Sequence, residues 1–162
     1  MGNMLTPAIP SRPPVPTGVT RICLSGFGIS HNAGRAHKVA ALIAKKYPKD
    51  YETWCYYSTF GFKKFLETVI PDFPADQKAK PSTTDKGKTI ENHSTSPFVW
   101  LEVTKGGVKE YTALGGRDMF CKWVDENFPN DAELMALTKG EPPLSACFFN
   151  NKTPGGTYKR AK

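Results

Sequence analysis

The sequence predicts a single α/β domain with a four-stranded mixed sheet and helices on both faces. Two observations predict it. Short runs of apolar residues alternate with stretches whose apolar residues recur at helical spacing, and their order along the chain is β-α-β-α-β-β-α. A βαβ unit followed by a ββα unit makes one sheet with a parallel pair and an antiparallel hairpin. Another small α/β sandwich is the alternative.

The βαβ unit begins at a short apolar run, residues 22–25, which predicts the first strand. Apolar residues then recur at helical spacing over residues 33–47, where Ser30 or Asn32 can cap the helix and Pro48 ends it. Residues 51–58 are rich in aromatic side chains, which favours a second strand.

A second helix follows from Phe62, with apolar residues at the same spacing, and ends at Pro71. The third and fourth strands are predicted at 97–104 and 108–114, joined by a turn at Gly106-Gly107. An apolar stripe around Trp123 then predicts a helix, and a short helix over 131–138 is expected to be capped by Asn130.

The chain divides into a domain and two terminal segments. Residues 1–20 read as a Pro-rich extended arm, because proline denies a segment both helix and interior-sheet hydrogen bonds. The domain spans 21–139 and includes a long polar loop at 71–92. Residues 140–162 read as an irregular basic tail.

The net charge of +7 is carried mainly by the ends of the chain. Without their six cations, residues 22–149 hold 16 basic and 15 acidic residues, which argues against a nucleic-acid-binding face on the domain. We expect the terminal cations to bind an acidic partner. They are Arg12, Arg21, Lys152, Lys159, Arg160 and Lys162.

The cysteine pattern favours reduced, buried thiols. The four cysteines are widely spaced, with no CxxC and no metal-type spacing to histidine, so no metal site is expected. No apolar run approaches the length of a membrane span, and the first residues lack the features of a secretory signal, so we expect a cytoplasmic protein. Gly2 formally fits the myristoylation pattern, although a single acyl chain anchors only marginally and membrane binding is not expected.

Two motifs carry a resemblance to a known family. The segment before the third strand, Thr95-Ser96-Pro97, resembles the glutaredoxin segment that contains a cis proline, and Gly115-Gly116-Arg117-Asp118 resembles the glutaredoxin start of the last helix. Residues 21–128 are also similar to the N-terminal thioredoxin-like domain of the atypical malate dehydrogenases of form 1B. The shared residues there are His93, Ser96, Pro97, Val99, Trp100, Glu102, Gly106, Gly107, Leu114, Gly115 and Gly116.

The resemblance implies a thioredoxin-like (glutaredoxin-like) fold, but the redox motif is lost. In the gapless register, the CxxC positions fall on Ser30 and Ala33. Serine cannot replace the cysteine, because its alkoxide is far too basic and it forms no disulfide. Ser30 is interpreted as a helix cap, no catalytic residue is expected, and nothing in these residues indicates malate or NAD chemistry.

Half of a glutathione site is implied by the same resemblance. The matching positions are Ser96, Pro97, Gly115, Gly116 and Asp118. A purely structural interpretation explains each of them as well, since proline fixes the strand entry, glycine permits a tight turn and aspartate favours a helix N-terminus. No cofactor is therefore expected, with glutathione as the alternative.

These observations favour a non-catalytic structural or interaction subunit of a larger assembly. The expected partners are other protein subunits, including ones with acidic surfaces such as tubulin, and the resemblance implies a cilium or flagellum axoneme as one setting. The alternative is a glutathione-binding or glutathione-dependent redox protein.

Overall fold

The structure, a computed structural model, describes residues 8–85 and 87–139. Ten elements follow one another along the chain. They are β1 (Thr20–Gly26), α1 (His31–Lys46), β2 (Tyr51–Tyr57), α2 (Phe62–Val69), a 3₁₀ turn (Ile70–Asp72), α3 (Ala75–Lys78), β3 (Phe98–Lys105), β4 (Val108–Gly115), α4 (Arg117–Asn127) and α5 (Ala132–Lys139).

The four strands form one mixed sheet in the order β2-β1-β3-β4. β1 pairs parallel with β2, and β3 pairs antiparallel with both β1 and β4. The predicted α/β architecture with a four-stranded mixed sheet is therefore confirmed. Each predicted strand and helix of the core lies within a few residues of its observed position.

Alternating residues of the strands build two separate cores. Ile22 and Leu24 point to the face covered by α1, α4 and α5, where Phe120 and Leu134 are fully buried. Cys23 and Trp100 point to the opposite face, which α2 covers. We call these the α1 face and the α2 face. This alternation follows from the two-residue period of a strand, with apolar residues required on both sides of a covered sheet.

The N-terminal arm packs on the domain from residue 11 onward, so the buried structure begins before the predicted domain start at residue 21. Val15 and Val19 are buried, and the Ser11 carbonyl accepts a hydrogen bond from Trp54 Nε1 at 3.1 Å. The Arg12 guanidinium lies over the rings of Trp54 and Trp100, at 5.2 and 5.6 Å from their centroids. The arm thus covers the part of the α2 face that the eight-residue α2 leaves open.

A buried carboxylate holds the arm in place. Glu102 on β3 has no exposed surface, and its Oε1 accepts a hydrogen bond from Trp100 Nε1 at 3.1 Å. Arg12 Nε lies 3.1 Å from Oε1, Arg21 Nη1 lies 3.4 Å from Oε2, and Lys109 Nζ lies 3.6 Å from Oε2. Three cations therefore surround one anion that water does not reach.

This cluster also changes the interpretation of Arg12 and Arg21 as partner-binding residues. Arg21 is 2% exposed, and its Nη1 donates to the Pro13 carbonyl at 2.6 Å. The side chain of Arg12 is 19% exposed and is engaged by Glu102. A buried guanidinium that already has an anionic partner gains nothing from an external carboxylate, so these two cations act inside the fold. Lys152, Lys159, Arg160 and Lys162 lie outside the described residues.

The polar stretch 71–92 is structured rather than a bare loop. Phe73 and Ile90 are buried on the α2 face, and Pro81 pairs with Thr89 across a turn. Their side chains anchor a segment whose overall composition is polar, so a prediction from average polarity missed them.

Two side chains of this segment cover the outer edge of β4 at Ala113. The Gln77 side-chain oxygen accepts a hydrogen bond from the Ala113 N–H at 3.0 Å, and Lys80 Nζ donates to the Ala113 carbonyl at 2.8 Å. Both backbone groups face away from β3, where an unpaired strand edge would otherwise be open to solvent.

The last helix is capped one residue later than expected. The Asp131 carboxylate, not Asn130, accepts the hydrogen bond from the Leu134 N–H, at 3.0 Å. Lys46 and Tyr47 also bind Asp131, both at 2.7 Å, and these bonds lower the pKa of its carboxyl to about 2. A charged cap is favoured here because it joins the end of α1 to the start of α5. In the described part of the chain, no helix is long and apolar enough to cross a membrane.

Replacing the buried carboxylate should destabilise the domain strongly. We expect Glu102→Ala to lower the free energy of unfolding by about 3–5 kcal/mol, because it leaves Arg21 buried without its main anion. Glu102→Gln keeps an acceptor for Trp100 and should cost less. Urea unfolding followed by tryptophan fluorescence measures both.

The matched control is Glu110→Ala. Glu110 pairs with Lys105 at 3.4 Å, and its side chain is 54% exposed. Its loss should change the free energy of unfolding by under about 1 kcal/mol. Equal effects of the two alanine substitutions would contradict a central role for Glu102.

Candidate functional site

The residues singled out from the sequence meet at one edge of the sheet. In the register of the strands, Gly26 pairs with Tyr57, Ser25 pairs with Phe98, and Val99 pairs with Gly115. The ends of β1, β2 and β4 and the start of β3 therefore share this edge. The structure brings the Ser30 loop, the Ser96–Pro97 segment and the Gly115–Gly116 corner to it.

Ser30 caps the first helix, as expected from its position. Its hydroxyl oxygen accepts a hydrogen bond from the Ala33 N–H at 3.1 Å, and its backbone is extended. Ala33, the second CxxC position, is fully buried. The polar atom nearest the free N–H groups of α1 is thus a neutral hydroxyl that already satisfies one of them.

No described cysteine is placed to form a thiolate easily. Cys23 and Cys55 are buried within β1 and β2, and burial raises the pKa of the Cys23 thiol and brings that of Cys55 to about 12. Cys121 is half-buried on α4, and burial raises its pKa as well. Cys147 lies outside the described residues. A redox thiol needs the opposite shift, toward a stable anion at neutral pH.

The Ser96–Pro97 peptide bond is cis, which confirms the prediction made from the motif. Ser96 Oγ accepts a hydrogen bond from the Phe27 N–H at 2.9 Å, so the loop after β1 rests on the residue before the proline. Gly26 allows this contact, because a Cβ at that position would overlap Ser96 Oγ and the Ala33 side chain. The close approach of Ser96 and Ala33 therefore explains why position 26 is a glycine.

The Gly115–Gly116 corner is occupied by another part of the chain. Gly115 has φ of +108°, and a Cβ there would overlap the backbone of Ser82. The Gly116 N–H donates to the Ser82 carbonyl at 2.7 Å, and Asp118 Oδ2 accepts from the Thr84 N–H at 2.7 Å. The segment from Ser82 to Thr84 thus uses the backbone and side-chain groups that the resemblance assigns to a ligand.

Asp118 is accordingly held as a carboxylate. Burial by itself raises its pKa, but hydrogen bonds from the Thr84 N–H and hydroxyl and from the Met119 N–H outweigh burial and lower it. Sequence reasoning assigned Asp118 to the helix N-terminus and missed Ser82 and Thr84. No motif in the polar stretch marks these two residues, since their contacts run mainly through the Ser82 carbonyl and the Thr84 N–H.

Two histidines beside the site are buried in neutral form. His93 Nε2 lies 2.6 Å from the Thr95 carbonyl and 3.1 Å from that of Pro97, and because carbonyls only accept, Nε2 carries the proton. Burial lowers the pKa of His93, although these carbonyls and Asp118 oppose the shift. His37 Nδ1 lies 2.6 Å from the Tyr57 hydroxyl, and burial lowers its pKa to about 3. His93 thus packs against the strand entry, whereas His31 is exposed.

The described residues contain no group of three or more His, Cys, Asp or Glu side chains that could hold a metal ion. Compared with models of protein families, with curated proteins and with solved structures, the chain matches none. The site therefore has to be interpreted from its own geometry.

The buried histidines predict a loss of stability in mild acid. The folded pKa of His37, about 3, lies below its unfolded value of 6.5, so between these values only the unfolded chain gains the proton. Stability is complete above pH 6.5 and decreases as the pH falls, by about 2 kcal/mol between pH 7 and pH 5 for His37 alone. Urea unfolding at a series of pH values measures this.

His37→Gln provides the control. Glutamine keeps a hydrogen-bonding group near Tyr57 but does not titrate, so the slope of stability between pH 5 and 6.5 should flatten. A wild-type profile that is level from pH 7 to pH 5 would show that His37 can take up a proton in the folded state.

Substituting Gly115 should detach the segment that fills the corner. Gly115→Ala combines an unfavourable φ with overlap on the Ser82 backbone, so we expect a loss of about 2–4 kcal/mol and faster amide exchange at Gly116. Gly106→Ala is the control, since Gly106 also has positive φ, +58°, but open space around it. It should cost about 1 kcal/mol. Equal costs would argue that the corner is loosely packed.

Proposed function

We propose that this protein is a non-catalytic thioredoxin-fold module that binds other proteins within a larger assembly. The observation that carries the proposal is the residue that caps the N-terminus of α1. Where a redox member of this fold needs an anionic sulfur, Ser30 supplies a neutral cap to the Ala33 N–H. Without a thiolate at that position, the start of α1 offers no nucleophile for disulfide exchange.

The arrangement of the sheet supports the thioredoxin-fold part of the proposal. The order β2-β1-β3-β4, with β1 parallel to β2 and β3 antiparallel to both its neighbours, is the order of a thioredoxin-fold core. The cis Ser96–Pro97 bond lies beside the start of α1, as the glutaredoxin resemblance implies. Strand order and the proline together support the assignment more than either does alone.

Glutathione binding is the weaker candidate. The cis proline segment is present, but the Gly116 N–H and the Asp118 carboxylate are engaged by Ser82 and Thr84. A tripeptide would have to displace that segment and the bonds that hold it. The geometry therefore favours a binding module that works without this cofactor.

The partners we propose are protein subunits with acidic surfaces. Arg12 and Arg21 are withdrawn from this role because Glu102 engages them. The four basic residues of the C-terminal segment remain candidates to steer such a partner, since long-range attraction between exposed charges assists association. An axonemal setting rests on the resemblance alone.

Restoring the thiol tests the helix-start interpretation. We expect Ser30→Cys to carry a thiol with a pKa below about 8.5, because the free N–H groups of α1 stabilise its anion. The rate of iodoacetamide alkylation against pH, followed by mass spectrometry, measures that pKa. Cys121 in the same sample is the internal control and should react only at higher pH.

Wild-type protein tests the functional claim directly. With a glutathione mixed disulfide as substrate, it should show no turnover above a variant in which all four cysteines are alanine. Turnover above that variant would overturn the non-catalytic proposal, whatever the reactivity of Ser30→Cys.

A further inference from the structure

Two large apolar side chains are exposed on the loops that follow β1 and β2. Ile29 is 70% exposed and Phe60 is 68% exposed. Ile29 lies three residues after Gly26 and Phe60 three residues after Tyr57, and Gly26 pairs with Tyr57 in the sheet. The loops that carry these two side chains therefore follow neighbouring parallel strands at the same end of the sheet. We call residues 27–32 and 58–64 the loop surface.

The backbone under the loop surface is fixed. The Ser58 N–H donates to the Gly26 carbonyl at 2.9 Å, and Ser58 Oγ accepts from the Gly61 N–H at 2.8 Å. The rings of Phe27 and Phe62 meet edge to face, with centroids 5.0 Å apart. Because the loops are tied to each other, binding here would order few additional backbone groups.

Along the chain, the two segments of the loop surface carry charge of one sign, although Glu67 and Glu91 line a groove together with Lys63. Residues 27–49 and 58–66 contain no acidic residue, and neither α1 nor α2 has an acid in its first turn. Lys63, Lys64 and Lys38 are exposed and make no ion pair within the described part of the chain. Glu67 is the first acid, one turn beyond Lys63. Both helix N-termini add positive potential at the same edge.

We infer that the loop surface binds a protein segment that presents carboxylates around apolar side chains. The inference rests on the proposed function and names its surface and the chemistry of its partner. Ile29 and Phe60 supply the apolar contact, and Lys63 and Lys64 supply complementary charge at the rim. A helix N-terminus without its own acids accommodates such carboxylates well.

The same observations favour protein over nucleic acid or membrane. Ile29 is aliphatic and offers no ring on which a base could stack, and Phe60 alone makes a poor platform. Binding to a lipid surface would need a broad apolar face, whereas two side chains bury only a small area. An acidic peptide satisfies both the charge and the size of the surface.

A defined peptide tests the inference. The probe is a fluorescein-labelled Glu-Glu-Leu-Phe-Glu-Glu-Leu-Phe-Glu-Glu peptide, titrated with the full chain and followed by fluorescence anisotropy. We expect a Kd on the order of 10–100 micromolar at low salt, weakening as salt screens the exposed charges. Replacing the Leu and Phe of the peptide by Ser should weaken binding by about tenfold or more.

Variants of the protein locate the contact. Ile29→Ser combined with Phe60→Ser should weaken binding about tenfold, and Lys63→Glu combined with Lys64→Glu should weaken it and reduce its salt dependence. Val108→Ser is the control for the first pair, since Val108 is 66% exposed at the β3–β4 turn. Lys45→Glu combined with Lys122→Glu makes the same change in net charge elsewhere and is the control for the second pair. Circular dichroism of each variant verifies folding.

Each result of these titrations leads to a different conclusion. Absence of binding, or equal weakening by the control variants, overturns the inference. Tighter binding through the same residues to phosphatidylserine vesicles or to a single-stranded oligonucleotide also overturns it and identifies the other partner class. Failure of the proposed function would appear instead as disulfide-exchange turnover, which none of these titrations measures.

Discussion

The burial of one glutamate, Glu102, determines which residues must pack on the rest of the α2 face. Glu102 lies on a central strand with Trp100 beside it, and a carboxylate there is tolerable only if cations and a hydrogen-bond donor replace the lost water. Arg21 comes from the neighbouring strand and Lys109 from the other side. The remaining cation, Arg12, comes from outside the sheet. Burying that one anion therefore requires the N-terminal arm to cross the α2 face.

The arm in turn completes the second core. α2 has only eight residues and covers part of its side of the sheet, and the aromatic rings of Trp54 and Trp100 would be exposed beyond it. The Arg12 guanidinium lies over both rings, its charge is attracted to their faces, and its ion pair with Glu102 fixes its position. The prolines suit this role, because an extended segment can run across a sheet without forming strand hydrogen bonds of its own.

Periodicity was enough to predict the four strands and α1, α2, α4 and α5, because each of these depends on side chains spaced a few residues apart, whereas α3 in the polar stretch was not predicted. Residue type and position indicated the cap at Ser30. The cis bond at Pro97 was predictable from a motif. The packing of the arm on the domain was not predicted because Arg12 and Glu102 are ninety positions apart, and no local pattern shows that one neutralises the other. The burial of Phe73 and Ile90 was not predicted, because the segment around them is polar on average. The contacts of Ser82 with Gly116 were not predicted either, because they use backbone atoms that composition does not reveal.

The occupied backbone groups of Ala113 have a consequence for strand pairing at the outer edge of β4. An edge strand with unpaired backbone groups can pair with a strand of another chain, which leads to amyloid-like stacking or to dimers joined through their strands. Gln77 and Lys80 bind the N–H and carbonyl of Ala113, so these groups are not available to pair with a strand of another chain. The lysine charge also disfavours the approach of such a strand. The insertion between α2 and β3 thus blocks the addition of a strand at Ala113.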